Sequence, residues 1–412
     1  DPELCKKVMK DELIEVKEKY GDERRTKIIP AEHEFNAEDF YPNDPVVITV
    51  SHLGYVKRTA LSEYREQTRG GVGSKAVRHR DADFAELIYP ATMHQILMFF
   101  TKKGRCYWLK CYELPEGGKD FKGRAIQNMM NIEPDDKINH ILRLRPGAYE
   151  DQEFIQNHFV VFATKHGTVK KTVLEQFSRP RANGVIAINL IEGDELVDIR
   201  LTNGDNELII ASRNGRAVRF HENDIRTMGR VSTGVRGMRL GGDDDAVIGM
   251  IVVNDAETEN VMVVSENGYG KRSQVEEYRQ TRRGGKGVLT MNVTDKTGKL
   301  VALKNVDDTN DLMIINKSGI AIRLSVAECR VMGRNTQGVK LINLQKKNDV
   351  IAAVTKVMGS EEQADVEEAS RAAWAKTNEE FQQNDDELQD SSTTDAKDAN
   401  TSVVDFSNDI NE

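Results

Sequence analysis

A glycine-marked unit that recurs six times constrains this chain more than any other feature. Apolar runs at Val46–Val50, Ile96–Phe100, Phe159–Ala163, Leu208–Ala211, Val261–Val264 and Leu312–Ile315 each lead into a polar turn. The turns end on Gly54, Gly104, Gly167, Gly215, Gly268 and Gly319, a mean period of 53 residues. A second glycine follows in every unit: Gly73, Gly123, Gly184, Gly234, Gly287 and Gly338. Its offset from the first is 19 residues in five units and 17 in the third. Ten residues after each first glycine stands Tyr64, Leu114, Phe177, Ile225, Tyr278 or Cys329, always a residue suited to burial. Two turns read Asn-Gly (Asn214-Gly215, Asn267-Gly268), which predicts hairpins with both central residues at positive φ.

A unit of this length with about four short strands is a blade. One blade cannot bury its apolar face alone, so neighbours must stack. A closed ring of six removes long exposed edges. The fold class expected is all-β: a six-bladed, propeller-like ring, with a short N-terminal helix and a disordered acidic tail. The extra length between the second and third units, residues 131–157, is expected as a loop on the rim.

The ends differ from the repeats. Leu4, Val8, Leu13, Val16 and Tyr20 recur at near-helical spacing and Gly21 supplies a stop, so residues 1–20 read as a helix. Three regions follow: 1–43 helix and linker, 44–359 the repeats, 360–412 the tail. Glu361 to Phe381 could form a transient helix within that tail. The tail carries 16 Asp and Glu against 3 Lys and Arg, a balance of −13. Residues 1–359 carry 55 Lys and Arg against 51 Asp and Glu, a balance of +4. The overall charge of −9 therefore hides a mildly basic body, which points to a polyanionic partner. No apolar run is long enough for a transmembrane helix. The scattered Cys5, Cys106, Cys111 and Cys329 form no metal-binding pair and suit a reduced, cytoplasmic setting.

Basic residues recur at two places in the unit. Four residues after the first glycine stand Arg58, Trp108, Lys171, Arg219, Arg272 and Arg323. Four residues before the second stand Arg69, Lys119, Pro180, Arg230, Arg283 and Arg334, with Arg179 and Arg181 flanking the proline. Equivalent positions in a ring share a face, so these cations predict a positive belt suited to bent duplex DNA. The lack of repeated aromatics beside them argues against stacking of single strands.

Two loops are richer in glycine. They are Gln67-Thr68-Arg69-Gly70-Gly71-Val72-Gly73 and Thr281-Arg282-Arg283-Gly284-Gly285-Lys286-Gly287. Paired glycines allow close backbone approach to a phosphate, and the cations supply charge. Neither loop meets the nucleotide-binding P-loop pattern.

These loops resemble the signature box, Gln-Arg/Lys-Arg-Gly-Gly-Arg/Lys-Gly, of the C-terminal domain of bacterial DNA gyrase A. The first loop, in the expected first unit, matches five of seven positions, departing at Thr68 and Val72. The fifth unit matches six, departing at Thr281. Residues 18–26, Glu-Lys-Tyr-Gly-Asp-Glu-Arg-Arg-Thr, resemble that family's exit from its coiled-coil helices. The resemblance covers about residues 5 to 355. It implies a six-bladed β-pinwheel whose outer face wraps double-stranded DNA, so that the full enzyme introduces negative supercoils. It implies partners in gyrase B and the rest of gyrase A. It places the DNA-cleaving tyrosine, ATP and Mg²⁺ outside this domain, which is expected to hold no cofactor, metal or small-molecule substrate.

Three rival readings follow from the same residues. The equivalent domain of topoisomerase IV has an eroded box. A protein-binding propeller would have a neutral rim. An enzyme with a funnel site at the ring centre would need convergent polar residues, which the repeats lack.

Overall fold

The computed structural model describes residues 2–21, 37–64, 74–75, 83–118, 120–344 and 349–359. Two compact units divide the chain, Asp1–Phe40 and Tyr41–Glu412. The first holds an α-helix, Pro2–Tyr20, as its apolar spacing predicts. It stops where Gly21 donates its backbone N–H to the Lys17 carbonyl.

In the second unit each repeat contributes three long antiparallel strands. Blade one is built from Pro45–Ser51, Tyr55–Ala60 and Ala85–Thr92. Blade two uses Ile96–Thr101, Arg105–Lys110 and Ile138–Leu144, and blade three Phe159–Thr164, Thr168–Val173 and Leu196–Thr202. Blade four uses Glu207–Ser212, Arg216–His221 and Val247–Val253, and blade five Asn260–Ser265, Tyr269–Gln274 and Leu300–Val306. Blade six is Asn310–Asn316, Ile320–Ser325 and Ile351–Met358. The third strands touch one another in ring order, so they line the centre. Moving outward come the first strand, the second, and then a two-residue strand donated by the next repeat.

That exchange closes the ring. Arg124–Ala125 completes blade one, Val185–Ile186 blade two, Val235–Arg236 blade three, Val288–Leu289 blade four and Val339–Lys340 blade five. Ser74–Lys75, from the first repeat, pairs with Ile320 and Ala321 of blade six. Every blade thus depends on its successor, and the first supplies the last.

The six apolar clusters sit between blades. Each joins two neighbours, and the cluster of Val47, Leu61, Tyr64, Met313 and Ile315 joins the sixth to the first. Both faces of a blade are covered, which explains why the first strands are near-continuous apolar runs rather than alternating ones. Each fully buried Val, Ile or Leu there contributes roughly 1.5–3 kcal/mol.

The hairpin turns differ from the Asn-Gly expectation. The closing hydrogen bond runs from the Gly215 N–H to the Ser212 carbonyl, and from Gly268 to Ser265. Glycine therefore occupies the fourth turn position, a three-residue loop ending in one left-handed residue. The expected rim loop at residues 131–157 is also corrected. It contains the centre-lining strand Ile138–Leu144, and its surplus length folds as the helix Gln152–Asn157, capped by Asp151.

Candidate nucleic-acid interface

Each second strand ends in a tight corner, such as Leu61–Glu63, Leu174–Phe177 or Val275–Glu277. The residue ten after the turn glycine closes that corner and is buried in all six repeats. The chain then crosses to the outer edge of the preceding blade, where Thr227 lies beside Lys171, Gln280 beside Arg219 and Val331 beside Arg272. The second glycine stands where this segment pairs with that edge. A Cβ on Gly287 would sit 2.2 Å from the Ala217 carbonyl oxygen, and φ there is +73°. Gly123, Gly234 and Gly338 meet Val56, Val169 and Gly270 in the same way. The second glycine is thus required by strand exchange.

The expected belt at the first basic position is corrected by burial. Arg58, Lys171, Arg272 and Arg323 are buried, and the Arg219 side chain is only 13% exposed. Their strand faces the next corner, whose carbonyls have no strand partner. Arg58 Nε donates to the Leu114 carbonyl at 2.8 Å, and Arg219 Nη1 to the Tyr278 carbonyl at 3.2 Å. Each charge also has a carboxylate: Glu116 for Arg58, Glu222 for Lys171, Glu207 for Arg219, Asp308 for Arg272 and Asp311 for Arg323. Trp108, the odd member, donates Nε1–H to the Tyr149 hydroxyl at 2.7 Å.

The second basic position lies on the outer edge. Arg179, Arg181, Arg282 and Lys286 are exposed, and Arg230, Arg283 and Arg334 are half-buried. Arg283 Nε donates to the Asp224 carbonyl at 2.9 Å, and Arg334 Nη1 to the Leu289 carbonyl at 3.0 Å. In the fifth-repeat loop, Gly284 N–H donates to the Gly237 carbonyl at 2.6 Å with φ +81°. A Cβ on Gly285 would meet nothing nearer than 3.8 Å, and its carbonyl accepts from the Arg239 N–H at 2.9 Å. Gln67, Arg69, Gly70, Gly71, Gly73 and Lys119 lie outside the described residues, as does the tail from Ser360.

Further cations occupy this edge that the two chosen offsets missed. Arg226, Arg279 and Arg330 each stand eleven residues after a turn glycine, directly past the buried corner residue, and all three are exposed. Arg236, Arg239 and Lys340 are exposed nearby. Residues 178–190, 226–239, 279–289 and 330–340 hold thirteen Lys and Arg and no Asp or Glu. The spacing that would have found them is one more repeat-equivalent column.

A different set of lysines holds the edge in place. Lys57 Nζ donates to the Gly118 carbonyl at 2.9 Å, Lys170 Nζ to the Ala187 carbonyl at 2.6 Å and Lys271 Nζ to the Gly333 carbonyl at 2.7 Å. All three are buried, and burial pushes Lys57 and Lys271 down to about 8 and Lys170 to about 7. Among the described residues, no group of three or more His, Cys, Asp and Glu could hold a metal ion, and no helix is long and apolar enough to cross a membrane.

Comparison with known proteins agrees with this architecture. The family model described as "DNA gyrase C-terminal domain, beta-propeller" matches residues 45–84, 95–145, 158–203, 206–254, 259–307 and 310–357. The DNA gyrase A subunit of Haemophilus influenzae is 38% identical over 393 residues, covering 89% of this chain and 44% of the relative. Its counterpart in Salmonella typhimurium is 40% identical over 344 residues, covering 84% of this chain and 38% of the relative. The chain therefore spans about two fifths of the length of the curated relatives it matches. Among solved structures, a DNA gyrase A C-terminal domain superposes with a TM-score of 0.67 at 24% identity, covering 76% of this chain and all of that one. A C-terminal domain of DNA topoisomerase IV superposes at 0.60 and 24%, covering 80% of this chain and 98% of that one. Six matched segments, one per blade, over a strand-exchanged ring leave one assignment: the chain belongs to the DNA gyrase C-terminal domain family of β-propellers.

Proposed function

We propose that this domain binds duplex DNA along its outer edge and wraps it around the ring. In this reading it does no chemistry itself and works within gyrase A, alongside gyrase B, in the cytoplasm. The observation that carries the reading is the acid-free, cation-bearing segment on the outer edge of successive blades, at residues 178–190, 226–239, 279–289 and 330–340. Cations repeated around a curved edge match a bent phosphate backbone, and neutralising phosphates releases counterions. Base-specific readout is not required, because affinity from backbone contact and DNA deformability is sequence-tolerant. The exchanged strands carry the same segments, so the wrapping surface and the closure of the ring are one structure. Chiral wrapping would bias which DNA crossing the full enzyme passes, giving negative supercoils. The loop Gln67–Gly73 would join this surface where the first repeat meets the last, since Ser74–Lys75 follows it directly onto blade six.

Ligation of nicked circles with the domain bound tests this. A unidirectional shift of the topoisomer distribution supports wrapping. Binding without a shift, or binding with weak salt dependence, would reduce the domain to a simple DNA binder or a protein-binding propeller.

A further inference from the structure

The ring centre holds chemistry that the outer edge does not use. Third strands from four blades place a cation there: Arg143 from blade two, Arg200 from three, Lys304 from five and Lys356 from six. They sit at two adjacent levels. Arg143 and Lys356 pair with Leu97 and Leu312, each seven residues before its turn glycine. Arg200 and Lys304 pair with Val161 and Met262, each six residues before. The four line one cavity of about 320 Å³, with Tyr89 and His140 on its wall.

The counter-charge in this cavity is incomplete. Asp198 is buried beside it, and its oxygens are taken by Arg200 Nη2 at 3.1 Å and by the Met250 and Ile199 N–H groups at 2.9 and 2.8 Å. His140 lies 3.4 Å from Asp198, and burial holds its imidazole neutral, down at about 3. Arg143 donates to the Pro90 carbonyl and has no carboxylate partner among the described residues. Lys304 and Lys356 make no hydrogen bond or ion pair through their ammonium groups among the described residues. Glu259 and Asp307 act on Lys356 only through longer-range attraction. Burial, then repulsion from Arg200, Arg143 and Lys356, pushes Lys304 down to about 8. Four cations face one close carboxylate that is already satisfied, with Glu259 and Asp307 only at longer range, a state that a multivalent anion would relieve.

We propose that the centre of the ring is a binding site for a small multivalent oxyanion of the phosphate or pyrophosphate class. Lys304 and Lys356 supply the free ammonium donors, and Arg143 and Arg200 supply fixed positive charge. A monovalent halide would leave most of the repulsion in place, whereas a phosphate presents several acceptor oxygens to donors on opposite sides of the cavity. The site is lined by the innermost strands, so it is separate from the proposed DNA surface and does not rest on that reading.

Thermal unfolding of the full chain, in sodium pyrophosphate and in sodium chloride at matched ionic strength, tests the proposal. Pyrophosphate at about a hundredfold excess over its Kd should raise Tm by roughly 5 °C, and chloride should not. The double variant Lys304→Gln/Lys356→Gln should unfold in chloride at or above the wild-type Tm, because it removes two like charges. It should lose the pyrophosphate increment, and calorimetric titration should show at least a tenfold weaker affinity. Its affinity for duplex DNA should match wild type. The proposal is overturned if pyrophosphate gives no heat with wild type, if chloride reproduces the Tm rise, or if the double variant retains it. Loss of the increment on Arg282→Gln/Lys286→Gln instead would place the anion on the outer edge and equally overturn it.

Discussion

Arg323 donates from Nη1 to the carbonyl of Tyr64 at 3.3 Å, across 259 positions of sequence, while its Nε holds the buried Asp311 carboxylate at 2.7 Å. The same guanidinium therefore completes a blade and joins the last repeat to the first corner. Replacing Arg323 with Gln leaves Asp311 buried without that guanidinium, at a cost of about 3–5 kcal/mol. Urea denaturation should show this loss. Adding Asp311→Asn should recover part of it. A full-strength ring in Arg323→Gln would show that the Ser74–Lys75 exchange closes it unaided.

Buried and exposed arginines should respond in opposite ways. Arg226, Arg279 and Arg330, changed together to Gln, should leave stability within about 0.5 kcal/mol per site. They should weaken duplex binding and shrink the slope of log affinity against log salt by about 0.9 for each phosphate no longer neutralised. Arg272→Ala should do the reverse, costing stability with little change in slope, since Asp308 and not phosphate is its partner. An unchanged slope in the triple variant would remove this column from the interface.

The ring was legible because its markers are physically forced. Gly54 and its equivalents need a left-handed backbone, Gly287 and its described equivalents cannot carry a Cβ, and Tyr64 and its equivalents close a buried corner. Repeat arithmetic says which residues are equivalent, but not which way they face. Arg58 and Arg226 both recur, and only strand exchange buries the first against the Leu114 carbonyl while leaving the second in solvent. The central cations were hidden for another reason. The connections to the third strands of blades two and three differ in length from those of blades five and six, and the cations sit at two levels, so Arg143, Arg200, Lys304 and Lys356 keep no common offset from the glycines.

Two glycines in one loop should behave oppositely. Gly287→Ala places a Cβ 2.2 Å from the Ala217 oxygen at positive φ, so it should destabilise blade four by about 1–3 kcal/mol. Gly285→Ala meets nothing nearer than 3.8 Å and should fold normally. If phosphate approaches the loop backbone closely, Gly285→Ala should still lower duplex affinity. Equal stability of the two variants would contradict the exchange role given to Gly287.

Lys170 should make stability depend on pH. Burial, reinforced by Arg230, pushes its ammonium from 10.5 down to about 7. Between those values the unfolded chain binds the proton and the folded chain does not, so stability rises with pH across that window. Lys170→Met removes this contribution. The Tm of wild type minus that of Lys170→Met should therefore increase from pH 7 to pH 9.5. A flat difference would mean that the group ionises normally in the folded state.

The acidic tail lies outside the described residues, and its charge alone sets what it should do. Residues 360–412 carry −13 beside a body of +4. Tethering raises the effective concentration of those carboxylates at the outer edge into roughly the millimolar range. There they should compete with phosphates for the exposed side chains of residues 226–239, 279–289 and 330–340. The attraction is diffuse and screened over about 8 Å at physiological salt, so it should tune binding rather than block it. Truncation after Gly359 should tighten duplex binding at low salt, with a gap that closes as salt rises. Neutral replacements of Asp385, Asp386 and Glu387 should give part of the same gain. Equal affinities of the truncated and full chains at about 50 mM salt, where phosphate contacts are strong, would leave the tail a role in solubility alone.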